Sequence, residues 1–176
     1  MEVSALSIDI SKMVIRKAGE KDLPAMEWDG EYSHFRKLFQ SLYQSSLKGE
    51  TILWLVELPE VGLVGQIFVQ LICSRPELAD GISRAYLFSF RIKSGFRKSG
   101  IGAKLLEFVE NDLRSHGYHW SVLNVDQNNY SARRFYEKYG YVVVGVENGN
   151  WSYIDQYGKH REIHEPAWRM EKRLLK

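Results

Sequence analysis

The sequence holds one cysteine, Cys73, so no intrachain disulfide can form, and an unpaired thiol fits a reducing compartment; a cytoplasmic protein is expected. Nowhere do about 18 apolar residues run together, which argues against a membrane-spanning helix. The opening stretch, "MEVSALSIDISKMVIRK", lacks a basic region followed by an apolar core, so no export signal is expected. Charge of one sign is scarce as well. Against 24 Lys and Arg stand 22 Asp and Glu, a net +2, too little to make a nucleic acid the expected partner. No repeat, low-complexity tract or linker interrupts the 176 residues, and one domain over 1–176 is the expectation.

What is present reads as strands and helices in alternation. "MVIRK" is β-branched, and "EKDLPAMEW" after it suggests a helix with Asp22 as N-cap and Pro24 in the first turn. From Ser33, the positions of Phe35, Leu38, Phe39, Leu42 and Leu47 predict a second helix ending at Gly49. "TILWLVELPEVGLVGQIFVQLIC" reads as two strands broken between Pro59 and Gly62, a hairpin. "RAYLFSFRI", residues 84–92, is apolar enough for the middle of a sheet. Ile101, Leu105, Leu106, Val109 and Leu113 lie at helical spacing before Gly117. "YHWSVLNVD" is a strand, "NNYSARRFYEKYG" a short helix and "YVVVGV" a strand. The tail "REIHEPAWRMEKRL" adds one more strand, with Pro166 at an edge or bulge. One mixed sheet covered by helices follows.

Between the strand at 84–92 and the helix at 101 stands "GFRKSGIG", residues 95–102. A helix start carries unpaired N–H groups and partial positive charge, and it favours a phosphate where no side chain blocks the approach, as Gly100 and Gly102 would allow. It is not a nucleoside-triphosphate loop, because Ile101 and Gly102 follow the second glycine in place of Lys and Ser or Thr. Nor is it a dinucleotide fingerprint, which needs glycine where Leu105 stands.

The pattern strand, then Arg97-x-x-Gly100-x-Gly102, then an amphipathic helix resembles the acyl-coenzyme A loop of the GNAT superfamily of N-acetyltransferases, with Phe90 and Ile92 in its apolar strand positions. The superfamily usually has proline where Ser94 stands and glycine where Lys98 stands. "LNVDQNNYSARRFYEKYGY" resembles its second motif through Asn129, Ala132, Phe135, Tyr136, Glu137, Lys138, Gly140 and Tyr141. The resemblance implies an α/β fold with a mixed, mostly antiparallel central sheet flanked by helices and splayed between the strands at 84–92 and 119–126. It further implies that acetyl-coenzyme A, the acyl donor, would lie in that gap. The pantetheine arm would meet Phe90, Arg91 and Ile92, and the pyrophosphate would meet Arg97, Lys98, Ser99, Gly100, Ile101, Gly102 and Ala103. Asn129 would hold the donor from the opposite side, and Tyr136 would sit near its sulfur and protonate the departing thiolate.

The implied reaction is acetyl transfer to a primary amine of a small molecule or peptide by direct attack, with a backbone N–H at the end of the 84–92 strand for the developing oxyanion. A non-catalytic acyl-coenzyme A sensor is the alternative, and it would not need Tyr136. The base that takes the amine proton has five candidates, Asp29, Glu31, His34, Glu57 and Asp155. "EWDGEYSHF" and "ENGNWSYIDQYG" mix aromatics with carboxylates, and Asp29, Glu31, Tyr153 and Asp155 are the acceptor-binding candidates. His160 and His164 lack a third ligand, so no metal is expected. A homodimer is implied only by the resemblance, with the edge strand near the C-terminus as its expected seam.

Overall fold

A computed structural model describes residues 9–176; the first eight, on which part of the export argument falls, lie outside the described residues. Nine strands and three α-helices follow one another in the order β1 (Val14–Lys17), α1 (Arg36–Leu47), β2 (Thr51–Leu58), β3 (Gly62–Gln70), β4 (Arg84–Ile92), α2 (Ile101–Ser115), β5 (Trp120–Asp126), α3 (Tyr130–Lys138), β6 (Val142–Glu147), β7 (Asn150–Ile154), β8 (His160–His164) and β9 (Ala167–Arg173). Seven strands form one sheet in the order β1-β2-β3-β4-β5-β9-β6, and β7 pairs with β8 in a separate hairpin. Every neighbour in the large sheet is antiparallel except β4 and β5, whose parallel pairing needs the crossover that α2 provides. The mixed, mostly antiparallel sheet flanked by helices agrees with the expectation.

Side-chain alternation divides the core between the two faces. Trp54 and Val56 of β2 pack with Ile101, Leu105, Leu106, Val109 and Leu113 of α2, while Leu53 and Leu55 pack with Phe39 of α1 and Met26. Each fully buried apolar side chain of this size contributes about 1.5–3 kcal/mol, so the α2 stripe is what anchors the helix. In α1 the expected stripe is interrupted. Phe39 is buried, but Leu47 in the last turn is 64% exposed, because the helix ends beyond the edge of its cluster.

The structure corrects three readings. "EKDLPAMEW" is not one helix but two short 3-10 turns, Glu20–Asp22 and Ala25–Glu27, because Trp28, Asp29 and Gly30 all take positive φ and stop the chain from continuing. The tail supplies two strands where one was expected, and Pro166 marks the join between β8 and β9. The C-terminal strand β9 lies inside the sheet between β5 and β6, so the edge on that side is β6.

Two features of β4 position the site. First, β4 pairs with β5 only from Arg84 to Leu87, against Trp120 to Leu123, and beyond that point the strands part. Second, β4 carries a bulge. Its register against β3 passes from Phe68↔Phe88 to Gln66↔Arg91, and Ser89 takes φ of 49°. The bulge exchanges the two faces: Leu87 packs on the α2 cluster, and beyond it Phe90 and Ile92 do so too, while Arg91 turns to the opposite face. Buried Gln66 steadies this bend by donating from Nε2 to the Ser89 carbonyl at 3.3 Å.

Candidate active site

Where β4 and β5 part, two clefts open. The smaller, about 250 Å³, is lined by β4 from Leu87 to Arg91, β5 from Leu123 to Asp126, and Asn129, Ala132 and Tyr136 of the α3 end. The larger, about 540 Å³, lies between Phe35 and Leu38 at the start of α1, Tyr86 on β4, and Glu147 to Trp151 at the base of the hairpin. Phe88, Ser89, Asn124 and Asp126 line both. The clefts therefore meet at the splay.

The mouth of α2 leaves a run of backbone donors open. Among the described residues, the backbone N–H groups from Lys98 to Ala103 donate to no carbonyl or side chain, as the first turn of any helix leaves them. Gly100 caps the helix with φ of 89°, a conformation that favours glycine. Gly102 has no such need, and a Cβ there would meet Phe90, Ile92 and Phe135 only at ordinary distances of 3.7–3.9 Å. Packing within the chain does not demand a glycine at 102, and a ligand approaching the backbone would.

Other members of the loop have definite jobs. Arg97 Nε donates to the Ile92 carbonyl at 2.9 Å, tying the loop to the end of β4. The Ser99 hydroxyl donates to the Phe96 carbonyl, and Ile101 is buried in the core. Lys98 is exposed, with φ of 58°.

On the far side, Asn129 is the N-cap of α3, its Oδ1 accepting the Ala132 N–H at 3.1 Å. This gives the Asn129–Ala132 spacing a structural cause. Tyr136, one α-helical turn further and more, lies against Phe90 and Tyr141 with ring centroids 6.3 and 5.7 Å away. Burial pushes its phenol well above the ordinary tyrosine range, with the neighbouring Tyr86 adding to the shift. Tyr86 is itself pushed up to about 12, again chiefly by burial.

The acetyltransferase (GNAT) family model matches residues 22–141, which include the α2 loop, both strands of the splay and α3. The chain belongs to the GNAT family. Among curated proteins it is 28% identical over 105 residues to the "Probable N-acetyltransferase san" of Drosophila melanogaster, covering 59% of this chain and 57% of that one. It is 27% identical over 105 residues to N-alpha-acetyltransferase 50 of Danio rerio, covering 59% and 62%. The matched segment thus spans less than two thirds of either relative. An aminoglycoside 6'-N-acetyltransferase solved with coenzyme A has the same fold, with a TM-score of 0.62, 20% identity and coverage of 93% of this chain and 98% of that one.

Within this GNAT frame the acceptor and base candidates separate. Asp29 and Glu31 are exposed in the turn after the second 3-10 segment and line neither cleft. Glu57 is held by Arg16 at 3.0 Å, in a network with Asp22. His34 sits among Tyr32, Phe35 and Tyr153. Asp155, 2% exposed, is consumed by the β7–β8 turn: it accepts the N–H groups of Tyr157 and Lys159 and pairs with Arg161, each at 2.9 Å. The Lys159 N–H is the main reason its carboxyl is held below the usual range. Tyr153 packs edge-on to Phe35 at 4.9 Å and belongs to the wall of the hairpin. Arg91 lies over the Tyr32 ring, its carbon 3.6 Å from the centroid, and burial lowers its pKa. His160 and His164 stand on β8, and no group of three metal-ligating side chains converges among the described residues.

Tyr86, Asn124 and Asp126 line the clefts and were not anticipated, while Glu147 and Trp151 lie in the expected acceptor segment without having been singled out in it. Asn124 and Asp126 did leave a signal: they alternate at the carboxyl end of a strand next to a parallel neighbour, where open sheets gather ligands.

Proposed function

We propose that this protein is an N-acetyltransferase that moves an acetyl group from acetyl-coenzyme A to a primary amine. The observation that carries this reading is the meeting of two clefts at the β4/β5 splay, with a buried phenol on one side and a carboxylate shared by both. The thioester, when bound, supplies the activated acetyl group. The unpaired N–H groups from Lys98 to Ala103 would hold the pyrophosphate. The edge of β4 from Phe88 to Ile92, which has no β5 partner, would hold the amide-bearing arm, with Asn129 opposite.

The acceptor enters by the larger cleft. An alkyl amine attacks only when neutral, yet is mostly protonated at pH 7, so a proton must leave first. Asp126 is the one carboxylate among the described residues that lines both clefts, and it takes that proton. Tyr136 keeps its own proton at neutral pH, because burial opposes the phenolate, and delivers it from the hydroxyl to the departing sulfur, while the second proton of the attacking nitrogen returns to the phenolate as the amide forms.

A thermal-shift titration tests the reading. Acetyl-coenzyme A at about 100 times its Kd should add about 2.7 kcal/mol of stability, raising Tm by roughly 5–10 °C for a chain of this size. No shift with either acetyl-coenzyme A or coenzyme A would overturn it. Thiol release that depends on an added amine separates an enzyme from a sensor.

A further inference from the structure

Three carboxylates line the larger cleft, Asp126, Glu147 and Glu165. Glu147 is answered twice. Arg75 spans it with Nη2–Oε1 at 2.9 Å and Nη1–Oε2 at 3.2 Å, and Arg169 Nη1 reaches Oε1 at 3.3 Å. Both guanidinium groups are thus committed to Glu147, Arg75 also reaching Glu77 at 2.8 Å, and Asp126 and Glu165 are in no ion pair among the described residues, although Asp126 Oδ1 accepts the Asn128 N–H at 2.7 Å. Glu165 is exposed at the rim, where water screens it, whereas Asp126 is half-buried at the splay. The cleft presents one well-placed site for a cation, next to the smaller cleft.

Phe35, Leu38, Leu78, Phe88 and Trp151 form an apolar part of the lining, beside the side-chain amides of Asn124, Asn148 and Asn150. Trp151 is carried by the β7–β8 hairpin and packs against Phe35, ring centroids 6.0 Å apart, on one wall of the cleft. The hairpin's base is fixed where its two arms cross: a Cβ at Gly149, with φ of 69°, would fall 1.7 Å from the Glu165 carbonyl oxygen. A volume of about 540 Å³ suits a small ligand. A second ammonium on the same molecule would find only Glu165, exposed at the rim and screened by water, and deeper in the cleft it would lie against aromatic faces or Arg75, where an unpaired charge is costly.

We infer that the acceptor is a monoamine on a compact apolar body, and that the β7–β8 hairpin with Trp151 selects it against polycations. The inference rests on the transferase reading above. It names the acceptor class which that reading leaves open.

Thiol release from acetyl-coenzyme A is measured with 2-phenylethylamine, spermidine and an aminoglycoside. The kcat/KM for 2-phenylethylamine should exceed that for spermidine by about tenfold or more. Trp151→Ala should raise KM for 2-phenylethylamine about tenfold with kcat nearly unchanged, while Trp151→Leu, which keeps an apolar wall, should lose less. Arg75→Gln frees Glu147 from one partner and should raise kcat/KM for spermidine several-fold. A wild-type preference for spermidine, or a Trp151→Ala variant with unaltered KM, overturns the inference. Calorimetric titration of 2-phenylethylamine into protein saturated with coenzyme A separates the two claims. Binding that Trp151→Ala abolishes, without turnover of any amine, upholds the acceptor class and overturns the transferase reading. Turnover that favours spermidine does the reverse, and absence of both binding and turnover overturns the inference.

Discussion

At high pH the three tyrosines around the splay limit how long the sheet survives. Tyr86, Tyr136 and Tyr141 each have a phenol pushed upward, burial being the main cause in every case; Tyr141 also faces the negative charge of Glu110. In the unfolded chain all three would ionise near pH 10. Between that value and the folded pKa the unfolded chain binds fewer protons than the folded one, so stability falls as pH rises. It is fully present below about pH 10 and lost as pH climbs toward the folded values. Tyr86, pushed up to about 12, accounts for roughly 3 kcal/mol across those two units. The three together give a slope of up to about 4 kcal/mol per pH unit, against a total stability of about 5–15 kcal/mol. Urea denaturation at stepped pH, with tyrosinate absorbance recorded in parallel, checks this. Of the ten tyrosines, the exposed ones should ionise first, and a second phase should coincide with loss of far-ultraviolet dichroism. Tyr86→Phe should reduce the slope by about one proton. If every tyrosine ionises near pH 10 while the dichroism persists, the site is not buried as described.

Three further outcomes are expected. Tyr136→Phe should lower kcat about 100-fold while leaving KM for acetyl-coenzyme A within about threefold, in steady-state thiol release; equal activity removes its acid role. Gly149→Ala puts a methyl group into the Glu165 backbone, and since neither segment can yield without opening the hairpin base, a loss of about 2 kcal/mol or more in urea denaturation and a raised acceptor KM should follow. Lys172→Met removes the ammonium 2.8 Å from Glu110, a carboxylate 4% exposed that also accepts the Tyr141 hydroxyl at 2.9 Å and keeps only the more distant Arg114, 3.9 Å away, as a cation. A loss of about 2–4 kcal/mol is expected, most of it recovered when Glu110→Leu is added, because the unpaired charge rather than the lost bond is the cost; additive losses in that double variant would contradict the account.

The two family motifs were readable because their parts are contiguous. Arg97 to Ala103 form one loop and helix start, and Asn129 caps the helix through Ala132 three residues on, so a few dozen residues carry both motifs within local geometry. The larger cleft was legible only in the segments that hold Phe35, Glu147 and Trp151. Glu147 reaches back 72 residues to Arg75, and Tyr86, Asn124 and Trp151 come from three separate strands. Asp155 shows the converse. A carboxylate in an aromatic-rich loop reads as a ligand-binding group, yet a tight turn claimed it, because two backbone N–H groups and Arg161 lay nearer than any cleft.

Hydrophobic periodicity pointed to β1 to β6 and to the α2 stripe, since burial of alternate or every third and fourth residue follows from local backbone geometry, but it did not show β7 or the division of the tail into β8 and β9. It also placed the glycines at the mouth of α2. Only the assembled sheet decided that β9 would enter between β5 and β6, and that β4 and β5 would part after Leu87. It likewise decided that a bulge at Ser89 would return Phe90 to the α2 side and send Arg91 across. Those are matters of register between strands distant in the chain, and a shift of one residue in register exchanges the faces of everything beyond it.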